Sequence, residues 1–329
     1  MPSQPSPQTT PDKPTAPVAA SANPAATAVG VQLYFSQATE TGCRVHAVCE
    51  PAEPAAVVPQ AFLYGPESPY AATLRTRYPF GHRPGAADKP AEAWIAEPCF
   101  WSPAAPYVYR YEFRVSPAAA PVAGLFGIRR LAVQGDHLVF DHKHWVLRGA
   151  RAEPLGQTAS GDFSLGRSDQ GFPLAAWHET PLAAAVENPP DRLCELASRL
   201  GVLLVARVAA DGDFAAELCR LSRWPAVGIV ILTAPPSDDD PPGHARNLLF
   251  AQFVSAQAAL EPAAWAQLLF CEVADPADFV RKIAGCRLPI VAVRPADDSL
   301  SPAEARGACD RLQRDLAAKG LQMAGYVAS

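Results

Sequence analysis

Residues 126–150 read Phe126-Gly127-Ile128-Arg129-Arg130-Leu131-Ala132-Val133-Gln134-Gly135-Asp136-His137-Leu138-Val139-Phe140-Asp141-His142-Lys143-His144-Trp145-Val146-Leu147-Arg148-Gly149-Ala150. Apolar side chains alternate with polar ones at Ile128, Leu131 and Val133, then at Leu138 and Phe140, then at Trp145 and Leu147. Gly135-Asp136 and Asp141-His142 stand between the runs as turns. The pattern predicts three short strands with tight connections. The stretch is a seam: the sequence before it is patterned as strands, and the sequence after it alternates strand and helix signals.

Working outward to the N-terminal side, residues 29–133 carry strand patterns at 31–35, 43–49, 61–64, 91–95, 107–115 and 125–133. About seven short strands separated by Pro/Gly turns fit a β-sandwich. The Pro- and Gly-rich span 65–90 reads as a long loop. Residues 1–28 hold Pro, Ala, Ser and Thr and almost no large apolar side chain, so burial cannot offset their ordering entropy. They read as a disordered tail.

On the C-terminal side, residues 134–329 offer eight candidate strands: 145–150, 184–187, 202–208, 227–233, 247–254, 267–273, 288–294 and 321–327. The helices between them are well punctuated. Pro190-Asp191 opens one that Gly201 closes, with Leu193, Leu196, Ala197 and Leu200 on one face. Asp275-Pro276 caps a second, ended by Gly285. Ser301-Pro302-Ala303-Glu304 is a capping box opening a third, which buries Ala305, Ala308, Leu312 and Leu316 and runs to Gly320. Strands alternating with helices predict parallel pairing. Eight of them predict a reduced (β/α)8 barrel with trimmed loops, since such barrels typically take about 250 residues.

Composition narrows the function. The chain has 329 residues, 49% of them hydrophobic, and a formal net charge of −5. No Lys/Arg run occurs, so nucleic acid is not an expected partner. No apolar run reaches the roughly 18 residues of a membrane span, and no signal core precedes the tail, so a cytoplasmic location is expected. The eight cysteines are scattered without a Cys-x-x-Cys pair or Cys/His cluster, and read as buried reduced thiols. No metal or other cofactor is expected.

Two motifs carry a resemblance. Phe126-Gly127-Ile128-Arg129 followed by Leu147-Arg148-Gly149, and before them Trp101-Ser102-Pro103-Ala104-Ala105-Pro106-Tyr107-Val108-Tyr109, resemble the junction of glycoside hydrolase family 2. This is the β-galactosidase, β-glucuronidase and β-mannosidase family. In it an FGxR strand ends an immunoglobulin-like domain and an LRG strand opens the catalytic barrel. Leu193-Cys194-Glu195-Leu196 with Gly201-Val202 also resembles a family helix. The resemblance implies an immunoglobulin-like sandwich followed by a TIM barrel, covers about 230 residues, and implies that the family's N-terminal jelly-roll domain has no counterpart here.

The family's chemistry needs two carboxylates about 5 to 5.5 Å apart at strand ends. The resemblance places the acid/base at the end of the fourth barrel strand. There Trp224 to Pro235 keeps the frame, but Ala234 and Pro235 stand where Asn-Glu is expected. It places the nucleophile at the end of the seventh strand, in Leu288-Pro289-Ile290-Val291-Ala292-Val293-Arg294, where Arg294 replaces Glu. A guanidinium is a donor-only cation and cannot attack an anomeric carbon. Ala184 to Pro190 lacks the Arg and His of the family's second strand.

Other strand-end residues are candidates for what remains. Glu272 is the best-placed substitute carboxylate, but its main expected role is a structural ion pair with Arg294 or Arg207, with a relocated catalytic acid the lesser reading. Arg151, Glu187, Arg207, Glu272 and Arg294 are the candidate ligand-binding set, for a carbohydrate or an anionic group in the barrel mouth. Asp238-Asp239-Asp240 reads as a solvated loop, and His142 and His144 as exposed turn residues. The expectation is a family-like protein without hydrolase activity that binds carbohydrate or protein. The competing expectation is an active retaining hydrolase with relocated carboxylates, acting in carbohydrate metabolism.

Overall fold

The computed structural model describes residues 30–50, 60–81, 91–114, 120–157, 163–167, 170–209, 214–232, 247–296 and 300–329. The predicted tail, Ala234, Pro235 and the Asp238–Asp240 run lie outside them.

Among the described residues, seven strands build two antiparallel sheets. β1 (Gly30–Thr39), β2 (Gly42–Glu50) and β5 (Ala91–Ala96) form one, in the order β1-β2-β5. β3 (Gln60–Glu67), β4 (Thr76–Pro79), β6 (Val108–Arg114) and β7 (Val122–Phe126) form the other, in the order β4-β3-β6-β7. Period-two alternation drives their inner faces together. Val31, Leu33, Cys43, Val45, Leu63, Ile95, Tyr109, Phe113 and Phe126 share one core between the sheets. β4 corrects the reading of 65–90 as an uninterrupted loop: Thr76–Pro79 pairs with β3, from Phe62↔Pro79 to Gly65↔Thr76. The predicted 125–133 strand also divides, because β7 ends at Phe126 and the next strand starts at Leu131.

The seam is a three-stranded meander of β8 (Leu131–Gln134), β9 (His137–Phe140) and β10 (Lys143–Trp145), as the alternation predicts. Gly135 supplies the left-handed residue of the first turn, with φ +62°.

Eight parallel strands then close into a barrel: β11 (Leu147–Gln157), β14 (Ala183–Glu187), β15 (Leu204–Val208), β16 (Val227–Leu232), β17 (Leu249–Val254), β18 (Leu268–Glu272), β19 (Ile290–Arg294) and β20 (Gly325–Ala328). β11 pairs with both β14 and β20, which closes the ring. At its far end β11 continues into an antiparallel excursion, β12 (Phe163–Arg167) and β13 (Gln170–Pro173), which the sequence reading did not foresee. The covering helices are α1 (Leu174–Glu179), α2 (Asp191–Leu200), α3 (Phe214–Ser222), α4 (Pro276–Ile283) and α5 (Pro302–Ala317). β17 and β18 are joined by residues 255–267 without a helix. The predicted caps form: Asp275 accepts from the Ala277 and Asp278 amides, and Ser301 with Glu304 makes the full capping box. Gly201 ends α2 in the left-handed region at φ +76°, its N–H bonded to the Ala197 carbonyl.

The two motif segments dock the sandwich on the barrel floor, the N-terminal ends of the barrel strands. Trp101 is 0% exposed, and its indole Nε1 donates to the Ser198 carbonyl on α2 at 2.8 Å. Arg129 is buried and donates through both terminal nitrogens to the carbonyls of Pro225 and Asn247, at the entrances to β16 and β17. Gly127 is needed there because a Cβ would lie 2.5 Å from the Pro225 ring. Phe140 is buried in this core, whereas Trp145 is half-buried and meets Phe140 edge-on at 5.4 Å.

Candidate functional site

Barrel strands alternate inward and outward side chains, so register and helix contacts assign each strand-end residue to one side. Arg148 pairs with Asp310 at 2.9 Å and Arg294 with Asp315 at 2.7 Å, and both acids belong to α5, which packs outside the barrel. These arginines therefore face outward. The paired registers carry that parity round the ring, through Arg148↔Tyr326, Ala152↔Val186, Val186↔Ala206, Cys271↔Ala292 and Arg294↔Ala328. The opposite parity is the barrel interior. It holds Arg151 within β11, level with Ala185, and Glu187, Arg207, Phe253, Glu272 and Val293 at or next to the C-terminal ends of β14, β15, β17, β18 and β19.

Four of the five expected ligand residues thus share the mouth. Arg151 is paired in register with Ala185, and Glu187 with Arg207, on the same face. Arg207 lies over the Phe253 ring at 5.3 Å. Its Nε is buried and finds no hydrogen-bond partner among the described residues. Burial, and then the positive charge of Arg151, push the Arg207 guanidinium below its ordinary value; Glu187 pulls the other way. Arg151 is met by the Glu153 carboxylate at 3.8 Å, which leaves the half-buried Arg207 guanidinium as the cation of the two without an ion pair among the described residues. Glu272 is held from one side, where its Oε2 accepts the Ala256 amide at 3.0 Å.

Two expectations need correction. Arg294 does not belong to the mouth, because it ends β19 on outward parity and its guanidinium is taken by Asp315. The expected ion pair of Glu272 with Arg294 or Arg207 does not form either, since Glu272 meets a backbone amide and Arg294 an α5 carboxylate. Ala234 and Pro235 lie in a segment outside the described residues. His142 and His144 are both exposed, as expected; His142 lies in the turn, but His144 belongs to β10. Phe253 was overlooked, although the alternation Leu249, Ala251, Phe253 within its strand places the ring inward. Among the described residues no three His, Cys, Asp or Glu side chains gather as a metal site. No helix among them is long and apolar enough to cross a membrane.

No protein-family model and no curated protein matches the sequence. Solved structures do match the fold. A β-D-glucuronidase of Dictyoglomus thermophilum superposes with a TM-score of 0.57 at 10% identity, over 91% of this chain and 61% of that one. A Lactobacillus rhamnosus β-glucuronidase gives 0.56 at 13% identity, over 91% and 60%. A glycosyl hydrolase family 2 member from Bacteroides cellulosilyticus gives 0.55 at 13%, over 91% and 43%. The chain has a glycoside hydrolase family 2-like fold, a sandwich followed by a closed barrel, and spans about three-fifths or less of these structures' length.

Proposed function

We propose that the barrel mouth binds a carbohydrate carrying a carboxylate, of the uronate class, and that it does so without cleaving a glycosidic bond. The observation that carries the reading is the Arg207 guanidinium on the inward face, beside Arg151, with its buried Nε unpartnered among the described residues. A guanidinium fork matches a planar carboxylate with two parallel hydrogen bonds. Phe253 offers an apolar face beside it, and Glu187 and Glu272 offer acceptors for sugar hydroxyls. Several structural neighbours are described as β-glucuronidases, whose name denotes an acidic sugar. The position that the sequence resemblance assigns to the nucleophile, Arg294, turns away from the mouth to Asp315. Without a carboxylate there, the two-carboxylate mechanism lacks one member.

The test is calorimetric titration of the full chain with D-glucuronate and D-glucose, beside turnover of 4-nitrophenyl β-glucuronide and β-galactoside. Saturable binding of glucuronate, at least tenfold weaker in Arg207→Met, with no turnover, is the expected result. Equal affinity for glucose would remove the carboxylate from the reading. A second reading rests on Glu187 and Glu272, two inward carboxylates at strand ends that can serve as an acid/base pair. Turnover abolished by Glu272→Gln would establish that alternative.

A further inference from the structure

A cavity of about 330 Å³ lies at the other end of the barrel, where β10, the starts of β11 and β14, the end of α1 and α5 meet the sandwich residue Pro103. Its volume falls in the range of about 300 to 1,000 Å³ of small-ligand sites, which favour domain junctions. Its walls are apolar and aromatic, from Trp145, Trp177, Leu182 and Leu203. Its charged lining is Arg148 and Arg306. Both guanidiniums lean on one carboxylate oxygen, Asp310 Oδ1, at 2.9 Å from Arg148 and 3.4 Å from Arg306. Arg148 also donates to Gln313 at 2.6 Å, and Arg306 makes a long 3.4 Å bond to the Pro181 carbonyl. Two cations against one anion leave a surplus positive charge on the wall, with Arg306 the more weakly held partner.

The second observation is independent of the charge. Trp177 lines the cavity, is 3% exposed, and its buried Nε1 has no acceptor among the described residues. A buried indole N–H normally finds a partner, and leaving one unmade is costly. Trp101, a few residues from Pro103 in the same junction, does find one in Ser198. An acceptor brought in from outside would complete Trp177 in the same way.

We infer that this junction cavity binds a small aromatic monocarboxylate, its ring against Trp145 and Trp177 and its carboxylate shared between Arg306 and the Trp177 N–H. One negative charge matches the one surplus positive charge, and a flat ring matches two indole walls better than a hydroxylated sugar does. The site is distinct from the mouth: none of its lining residues belongs to the mouth set of Arg151, Glu187, Arg207, Phe253 and Glu272.

The probe is 2-naphthoate, titrated into the full chain with calorimetry and tryptophan fluorescence read together. Saturable one-to-one binding is expected, unaffected by excess D-glucuronate. Trp177→Phe keeps most of the wall and removes the donor, and Arg306→Gln removes the weakly held cation. Each should weaken binding at least fivefold while the thermal midpoint stays within error. If either variant unfolds, comparison of 2-naphthoate with uncharged 2-methylnaphthalene on the unaltered protein decides the matter: the acid should bind at least tenfold more tightly. Equal binding of the two, binding insensitive to both variants, or a crystal soak that leaves an ordered water on Trp177 Nε1 and no naphthoate would each overturn the inference.

Discussion

The floor and the mouth of the barrel are built from the same eight strands and obey opposite rules. At the floor, two polar side chains are buried deep and their terminal donors are used: Trp101 donates to Ser198, and Arg129 donates to the carbonyls of Pro225 and Asn247. At the mouth, Arg151, Arg207 and Glu272 are half-buried, Glu187 is exposed, and Arg207 keeps a buried nitrogen free of partners among the described residues. The recognisable motif residues mark where two domains are fastened, and the charged strand-end side chains gather at the other end, although the floor too keeps one open donor, Trp177 Nε1, in the junction cavity. That division is usual for such barrels, in which the C-terminal face carries ligands and the N-terminal face carries stability.

Trp101→Ala tests the floor most severely. A fully buried aromatic is lost together with its hydrogen bond, so unfolding free energy should fall by about 3 to 5 kcal/mol in denaturant titration. A cost under about 1 kcal/mol would show that the floor does not fasten the domains. Next comes Arg129→Met, which keeps much of the volume but leaves two carbonyls without donors. The expected loss is about 2 to 4 kcal/mol by the same measurement, because unpaired buried acceptors are costly. Trp145→Ala should cost less, about 1.5 to 2.5 kcal/mol, since that ring is half-buried and the full core value does not apply.

Buried thiols sharpen the contrast through pH. Burial pushes Cys43, Cys194 and Cys271 up to about 12 from an ordinary 9.0. A folded-state value above the unfolded one means that the unfolded chain loses these protons first. The stability contributed by keeping them as thiols is therefore full below about pH 9 and is lost as pH rises towards 12. Denaturant midpoints should hold from pH 7 to 8.5 and fall beyond, and these three thiols should resist Ellman's reagent until the protein unfolds. Rapid labelling of any of them in the native state at pH 8 would contradict that burial. The smallest stability effect belongs to the mouth: Arg207→Met should change unfolding free energy by no more than about 0.5 kcal/mol, as for sites away from packed features. Its effect appears in glucuronate affinity instead. A large stability loss there would erase the distinction between the two ends.

The strands and their order follow from local sequence pattern alone. Alternation in 126–150 marks the meander, and eight apolar runs with capped helices between them mark the barrel, because a period of two or 3.6 residues and a capping box are local properties. The sequence also showed that Trp101 and Arg129 matter. Their partners it did not reveal, since Ser198, Pro225 and Asn247 lie between about 96 and 118 residues away along the chain. The short pieces escaped for a related reason: β4 has 4 residues and α1 has 6, too few for a period to emerge from composition. The mouth was legible as a set of strand-end residues but not as a site. Whether a strand's last residue points into the barrel or out to a helix turns on a single step of register. Only closure of the ring, with α5 placed outside it, sent Arg294 to Asp315 and left Arg151 and Arg207 facing inward together.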